Sequence, residues 1–138
     1  MPSKPKRRSQ TIEIKVRGYH IDMFGHVNNA RYLEFLEEGR WQWAETLVDL
    51  GALLKEGKGF SVVNININYR KPAVFADELI IETSFKGFKS RSGIIQQIVR
   101  LKGTGIVIAD ACVTFVIVST ETGRALPITK ALRRLFGE

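Results

Sequence analysis

The sequence is poor in the residues that build disulfide frameworks and metal sites. Its 138 residues include one cysteine, Cys112, and two histidines, His20 and His26. A single cysteine forms no internal disulfide, which is typical of proteins from reducing compartments, and we expect Cys112 to be a small buried residue on a strand. These three side chains do not supply the four nitrogen or sulfur ligands of a structural zinc site.

Other chemistries are excluded by the motifs that the sequence lacks. It contains no GxxxxGK[ST] phosphate loop, no GxGxxG following a strand and no GxSxG nucleophile elbow. It also contains no run of 18 apolar residues, so no segment is expected to span a membrane as a helix. What remains is a chain that is 44% hydrophobic and 25% charged, the composition of a single globular domain.

The net charge of +7 is unevenly distributed. Lys4, Lys6, Arg7 and Arg8 lie in the first eight residues, which leaves +3 for the rest. We therefore expect residues 1–10 to form a basic disordered tail and residues 11–138 to form one domain. The aromatic residues are not interleaved with basic ones as in a base-stacking platform, so no nucleic-acid partner is expected.

Hydrophobic periodicity predicts the order strand, long helix, four strands, short helix. Apolar residues alternate over residues 11–17 and recur at spacings of three and four over residues 29–50, where Gly51 would end the helix. Strands are predicted at residues 60–69, 78–86, 94–101 and 106–118, and a short helix begins at Pro127. The predicted fold class is α+β, a curled antiparallel five-stranded sheet around one long helix, with open edges that favour self-association.

The junction between the first strand and the long helix carries the chemistry of the sequence. Residues 17–32 include both histidines and Asp22, directly before a helix N-terminus with Asn28 or Asn29 as its cap. Free backbone N–H groups and the helix dipole would stabilise an oxyanion there, and an upstream aspartate could serve as general base or nucleophile. The alternative is that Asp22 only caps a turn.

Two segments of the chain resemble a known family. Residues 19–35, YHIDMFGHVNNARYLEF, resemble the active-site motif of the hotdog-fold acyl-CoA thioesterases of the 4-hydroxybenzoyl-CoA thioesterase family, and residues 62–73, VVNININYRKPA, resemble its second signature. The similarity is greatest to the bacterial long-chain type III thioesterases. It implies a hotdog fold, hydrolysis of medium- to long-chain acyl-CoA, no cofactor, a homodimer or dimer of dimers, and a cytoplasmic location.

The resemblance also implies roles for individual residues. Asp22 corresponds to the catalytic carboxylate, and the backbone N–H of Asn29 corresponds to the group that polarises the thioester carbonyl. His26 resembles a histidine of the plant acyl-carrier-protein thioesterases, but Phe24 stands where those enzymes have an asparagine. Two roles therefore stay open for His26, a catalytic one and a structural hydrogen bond that shapes the loop.

Two basic segments are candidates for binding the phosphates of coenzyme A. Arg70 follows the predicted strand 60–69, and Ser90, Arg91 and Ser92 lie in the turn between the next two strands. Arginine together with hydroxyl groups suits phosphate oxygens, although a charged hairpin is often merely solvated. The competing functions are a non-catalytic acyl- or CoA-binding protein of the same fold and, from another class, a basic nucleic-acid-binding module.

Overall fold

The computed structural model describes residues 9–138, and the expected disorder of the basic tail falls largely outside them. A five-stranded antiparallel sheet has the strand order β1-β3-β4-β5-β2. In chain order the elements are β1 (Ser9–Lys15), α1 (Asn29–Glu45), α2 (Leu50–Lys55), β2 (Lys58–Tyr69), β3 (Glu78–Phe88), β4 (Ser92–Leu101), β5 (Val107–Ser119) and α3 (Lys130–Leu135). The five strands and their order along the chain are those predicted.

Several predicted boundaries differ from those of the structure, three of them at β1, α1 and α3. β1 begins at Ser9, two residues before the expected start of the domain. The long helix ends at Glu45, because Thr46 bonds back to the Trp43 carbonyl and Asp49 then caps a separate helix through the Ala52 N–H. Gly51 therefore lies inside α2 and does not end α1.

The third boundary concerns α3, which does not begin at Pro127. Thr129 is its N-cap, since the Thr129 hydroxyl accepts the Leu132 N–H at 3.1 Å. A side-chain acceptor at the cap satisfies one of the free N–H groups of the first turn, which Pro127 cannot do.

The helix α1 packs on the inner face of the sheet, and its buried residues divide the core into two parts. Tyr32, Phe35 and Leu36 pack with β1 and β3 near the start of the helix. Trp43 packs with Phe85, Phe115, Phe136 and other residues near its end. The burial of Trp43 agrees with the apolar spacing of three and four residues that predicted the helix over residues 29–50.

The outer face of the sheet is polar and partly exposed. Asn64, Asn66 and Asn68 of β2 lie on this face, beside Cys112 of β5. Cys112 is exposed and free, so its expected burial was wrong. The reason is strand alternation: Ala111 and Val113 face the core, which turns the residue between them outward.

A glycine in the middle of α1 lets the helix approach the sheet closely. A Cβ atom on Gly39 would lie 2.9 Å from the Thr83 hydroxyl, 3.0 Å from Ile81 Cγ2 and 3.1 Å from Gln97 Nε2. The buried Gln97 donates to the Leu36 carbonyl at 2.8 Å and to the Thr83 hydroxyl at 2.9 Å. This contact holds α1 against β3 and β4.

We predict that Gly39→Ala destabilises the protein although alanine is the better helix former. The added methyl overpacks the contact with Thr83, at a cost of about 1–3 kcal/mol. Gly51→Ala is the matched control, because its Cβ would meet only Asp49 Oδ1, at 3.4 Å. It should be neutral or stabilising by up to about 1 kcal/mol. Thermal unfolding of both variants tests this, and equal effects would contradict the close approach.

Candidate functional site

The loop between β1 and α1 is held at both ends by backbone hydrogen bonds. The Asn28 N–H donates to the His20 carbonyl at 2.8 Å, and the Val27 N–H donates to the Ala73 carbonyl at 2.9 Å. On the other side the Val16 N–H donates to the Asp77 carbonyl at 2.9 Å. The loop is thus fixed to the start of α1 and to the segment that joins β2 to β3.

Asp22 lies at the start of a tight turn within this loop. Its N–H donates to the His26 carbonyl at 2.9 Å, and its Oδ1 accepts the Phe24 N–H at 2.9 Å. Gly25 has a φ of 80°, a conformation that side chains disfavour. The carboxylate does cap a turn, but it does so with one oxygen. Within residues 9–138 no donor engages its Oδ2, which is left for other chemistry.

The first turn of α1 leaves one N–H group available. The Ala30 N–H donates to Asn28 Oδ1 and the Arg31 N–H to the Asn28 carbonyl, each at 2.9 Å. Asn28 is therefore the N-cap, one of the two predicted candidates. The Asn29 N–H finds no acceptor in the described part of the chain. An unpaired N–H at the positive end of a helix is a suitable donor to an oxyanion.

The carbonyl of Asn29, on the other side of its Cα from the free N–H, is held by a tyrosine that the sequence did not predict. The Tyr69 hydroxyl donates to the Asn29 carbonyl at 3.0 Å, and its ring packs at 5.5 Å against that of Tyr32. Burial raises the pKa of Tyr32 to about 12. The alternation of β2 places Tyr69 on the inner face, but only the tertiary structure brings it to α1.

The two histidines have different surroundings. The His26 ring is exposed and forms no hydrogen bond to any residue of 9–138, so the structural hydrogen bond proposed for it is absent there. Its carbonyl shapes the turn instead. The buried His20 has the structural role: its Nδ1 accepts the Arg17 N–H at 2.8 Å, and its ring packs edge-on against Phe35 at 4.9 Å.

The predicted phosphate-binding residues lie in two places. Arg70 forms an ion pair on the outer face, with Nε 2.8 Å from Asp110 Oδ2, and this contact lowers the pKa of Asp110. The Arg91 guanidinium donates to the Ala125 carbonyl at 3.1 Å. Ser90 and Ser92 accept backbone N–H groups through their carbonyls, which leaves the two hydroxyls exposed or half-exposed.

Within one protomer the structure does not bring the β3–β4 turn to Asp22. β3 begins at Glu78, directly after Asp77, whose carbonyl accepts the Val16 N–H, and the turn follows at the other end of the strand. At about 3.3 Å per residue, eleven residues separate the two ends by roughly 30 Å. The turn instead contacts α3, since the Arg133 guanidinium donates to the Lys89 carbonyl at 2.8 Å.

The thioesterase-like superfamily matches residues 16–136 of this sequence. The chain therefore belongs to the thioesterase-like superfamily. The long-chain acyl-CoA thioesterase FadM of Escherichia coli is 48% identical over 121 residues, which cover 88% of this chain and 92% of that protein. The predicted family and its thioesterase activity are thus confirmed.

Solved structures of thioesterases share the fold. The structure of YbaW, a probable thioesterase from Escherichia coli, superposes with a TM-score of 0.85 at 46% identity, covering 92% of this chain and 96% of the other. A 4-hydroxybenzoyl-CoA thioesterase superposes with a TM-score of 0.84 at 20% identity, covering 93% of this chain and 98% of the other. The hotdog fold is confirmed. None of the helices in residues 9–138 has the length and apolar character needed to cross a membrane.

We predict that the imidazole of His20 titrates below the usual value of about 6.5. Burial, and next the positive charge of Arg31, lower its pKa. The folded state thus favours the neutral ring, so the stability that His20 contributes is complete above about pH 6.5 and is lost as the pH falls through its lowered pKa. NMR titration of a His26→Gln variant follows His20 alone; a midpoint at or above that of a model peptide would contradict this.

Proposed function

We propose that this thioesterase hydrolyses medium- to long-chain acyl-CoA to the free acid and coenzyme A. The E. coli relative, 48% identical, is a long-chain acyl-CoA thioesterase. One observation carries the proposal: among residues 9–138, Asp22 Oδ2 and the Asn29 N–H have no hydrogen-bond partner, and both belong to one hydrogen-bonded loop and helix start. A base or nucleophile and an oxyanion donor are what thioester hydrolysis requires.

The reaction divides between these two groups. The thioester oxygen accepts the Asn29 N–H, and the helix dipole stabilises the negative charge that develops on it. Asp22 either removes a proton from an attacking water or attacks the carbonyl carbon itself. In both routes the carbon–sulfur bond breaks and the thiolate leaves. In the second route a mixed anhydride forms, and water then hydrolyses it and releases the carboxylate of Asp22.

We predict that Asp22→Asn lowers kcat/KM for acyl-CoA by at least about 100-fold, the loss expected for a missing general base or nucleophile. The amide oxygen of asparagine can still accept the Phe24 N–H, so the turn should persist. Release of free thiol from acyl-CoA measures the effect, and thermal unfolding checks the fold. Glu45→Gln, which removes an exposed carboxylate at the other end of α1, is the matched control. Equal rates for the two variants would refute the role of Asp22.

The assembly that we propose is a homodimer, or a dimer of dimers, in which each nucleotide is bound by the partner. β2 is an edge strand of 12 residues, and Val62 and Val63 are exposed on it. A twofold axis perpendicular to the sheet pairs this edge with the same strand running antiparallel. Such pairing reverses the partner's sheet and moves its β3–β4 turn to the end where Asp22 lies.

In this arrangement the β3–β4 turn of one protomer would lie near Asp22 of the other, although the two are far apart within one protomer. Ser90, Arg91 and Ser92 would bind the phosphates of coenzyme A in the partner's site, where an arginine and hydroxyls suit phosphate oxygens. Arg70 would assist from the outer face, although its ion pair with Asp110 competes for the same guanidinium. We place the enzyme in the cytoplasm, a proposal supported by the exposed free thiol of Cys112.

We predict that Arg91→Ala raises KM for acyl-CoA by about 10-fold, since a charged hydrogen bond to phosphate contributes roughly 1.5–3 kcal/mol. The KM for the corresponding acyl-pantetheine, which lacks the nucleotide, should not change. Steady-state kinetics with both substrates make the comparison. A parallel rise in both KM values would assign Arg91 to the fold and not to the nucleotide.

Mixed oligomers test the contribution of the partner. Combining Asp22→Asn and Arg91→Ala protomers creates one site with both defects and one site with neither, provided that the nucleotide is bound across subunits. At low acyl-CoA the mixture should therefore be more active than either variant alone. No gain after verified subunit exchange would place Arg91 in the site of its own protomer.

A further inference from the structure

The helix α1 covers the inner face of β2 less completely than that of β3. α1 packs on β1 and β3 and meets β2 at its end, where Tyr69 contacts Asn29 and Tyr32, whereas α2 covers β2 near its start. Ile65 and Ile67, on the inner face of β2, are consequently half-exposed, while Leu79 and Ile81 on the inner face of β3 are fully buried. The inner face of β2 therefore presents partly uncovered apolar side chains between its two ends.

A cavity lies at the far end of α1. The cavity has a volume of about 330 Å³ and lies between α1, α2 and the sheet. Its walls are mostly apolar, and they include Trp41, Ala44, Leu53, Leu54, Phe60 and Phe115. The room exceeds what a few water molecules need, and the lining offers them few partners, so the cavity suits a hydrocarbon.

One face of α1 connects this cavity to the oxyanion donor. Asn29, Leu33, Glu37 and Trp41 follow at intervals of four residues, and Ala44 lies three residues further. At 1.5 Å per residue, the helix places Glu37 about 12 Å and Ala44 about 22 Å from Asn29. Residues spaced in this way share one side of a helix, so the cavity and the site lie along the same line.

The reach of an extended acyl chain matches these distances. Three backbone bonds of an extended peptide span about 3.6 Å, so an extended chain advances by about 1.2 Å per bond. A tail held with its carbonyl at Asn29 would therefore reach Glu37 after about ten bonds and Ala44 after about eighteen. Short acyl chains would end before the cavity, and long ones would enter it.

We infer that this cavity holds the distal part of long acyl chains, and that Ala44 with Leu53 and Leu54 of α2 forms the end wall that limits chain length. The inference rests on the proposed acyl-CoA hydrolysis and adds the residues that select the substrate. Arg40 also lines the cavity, but its charge is not left unpaired beside an apolar tail, because its guanidinium donates to Gln97 Oε1 at 3.0 Å. Because α1 ends at Glu45, α2 is a separate helix, and its Leu53 and Leu54 line the cavity.

The first test fills the cavity. Ala44→Leu places three more carbons against the end wall, and each excluded methylene should cost about four-fold in kcat/KM. We expect the value for eicosanoyl-CoA, whose extended tail reaches Ala44, to fall at least about 10-fold and that for octanoyl-CoA to stay within about two-fold. Ala52→Leu is the matched control, since Ala52 is an exposed residue of α2 outside the cavity lining.

The outcomes separate this inference from the proposed function. An unchanged ratio of the eicosanoyl to the octanoyl rate in an active Ala44→Leu enzyme would overturn the end wall and leave the hydrolysis intact. If Ala44→Leu loses both rates and has a lowered melting temperature, the variant Leu54→Ala is measured instead. That variant shortens an exposed side chain and should raise the relative rate for chains longer than eicosanoyl; an unchanged ratio there would likewise overturn the inference.

The second test locates the tail without catalysis. Both tryptophans of the chain, Trp41 and Trp43, line the cavity, so intrinsic fluorescence reports its occupancy. A palmityl-CoA thioether, which is not hydrolysed, is brominated either at the distal end or near the sulfur. The distal bromines should quench the tryptophans strongly and the proximal ones little. Equal quenching, or none from a bound ligand, would mean that something else, such as the partner protomer, fills the cavity.

Discussion

The close approach of α1 to the sheet at Gly39 positions the rest of the site. Because the helix carries no side chain there, Gln97 reaches the Leu36 carbonyl and ties the middle of α1 to β4. A helix held at its centre has a defined N-terminus, and the direction of its first N–H groups follows from that. The oxyanion donor therefore depends on a contact ten residues away from it.

Most hydrogen-bonding groups around the start of α1 have a partner among residues 9–138, so the few that have none there are candidates for binding the substrate. Asn28 accepts two N–H groups of the first turn. In the loop, the Asp22 N–H donates to the His26 carbonyl, and the Val27 N–H donates to the Ala73 carbonyl outside it. One N–H, that of Asn29, and one carboxylate oxygen are left over in the described chain. Reactive groups that are positioned but unpaired meet little reorganisation cost when a substrate binds.

Local patterns in the sequence were sufficient for much of the fold and for the candidate carboxylate. Alternation and helical periodicity identified all five strands and the long helix, because the burial of one face imposes those periods. The errors lie at Glu45 and Pro127, where side-chain caps end or begin helices within an uninterrupted apolar pattern. The motif around Asp22 was recognisable because the residues that build its turn are contiguous.

What the sequence alone determined is the five strands, the long helix, the family and the loop that carries Asp22, since all of these depend on neighbours along the chain. The separate helix α2 was not among them. Only the tertiary structure decided which distant residues join them. It brought Tyr69 to Asn29, turned Cys112 outward and separated Arg91 from Asp22 by the length of a strand. Such relations follow from strand order and helix packing, which combine many weak contacts that no short segment records.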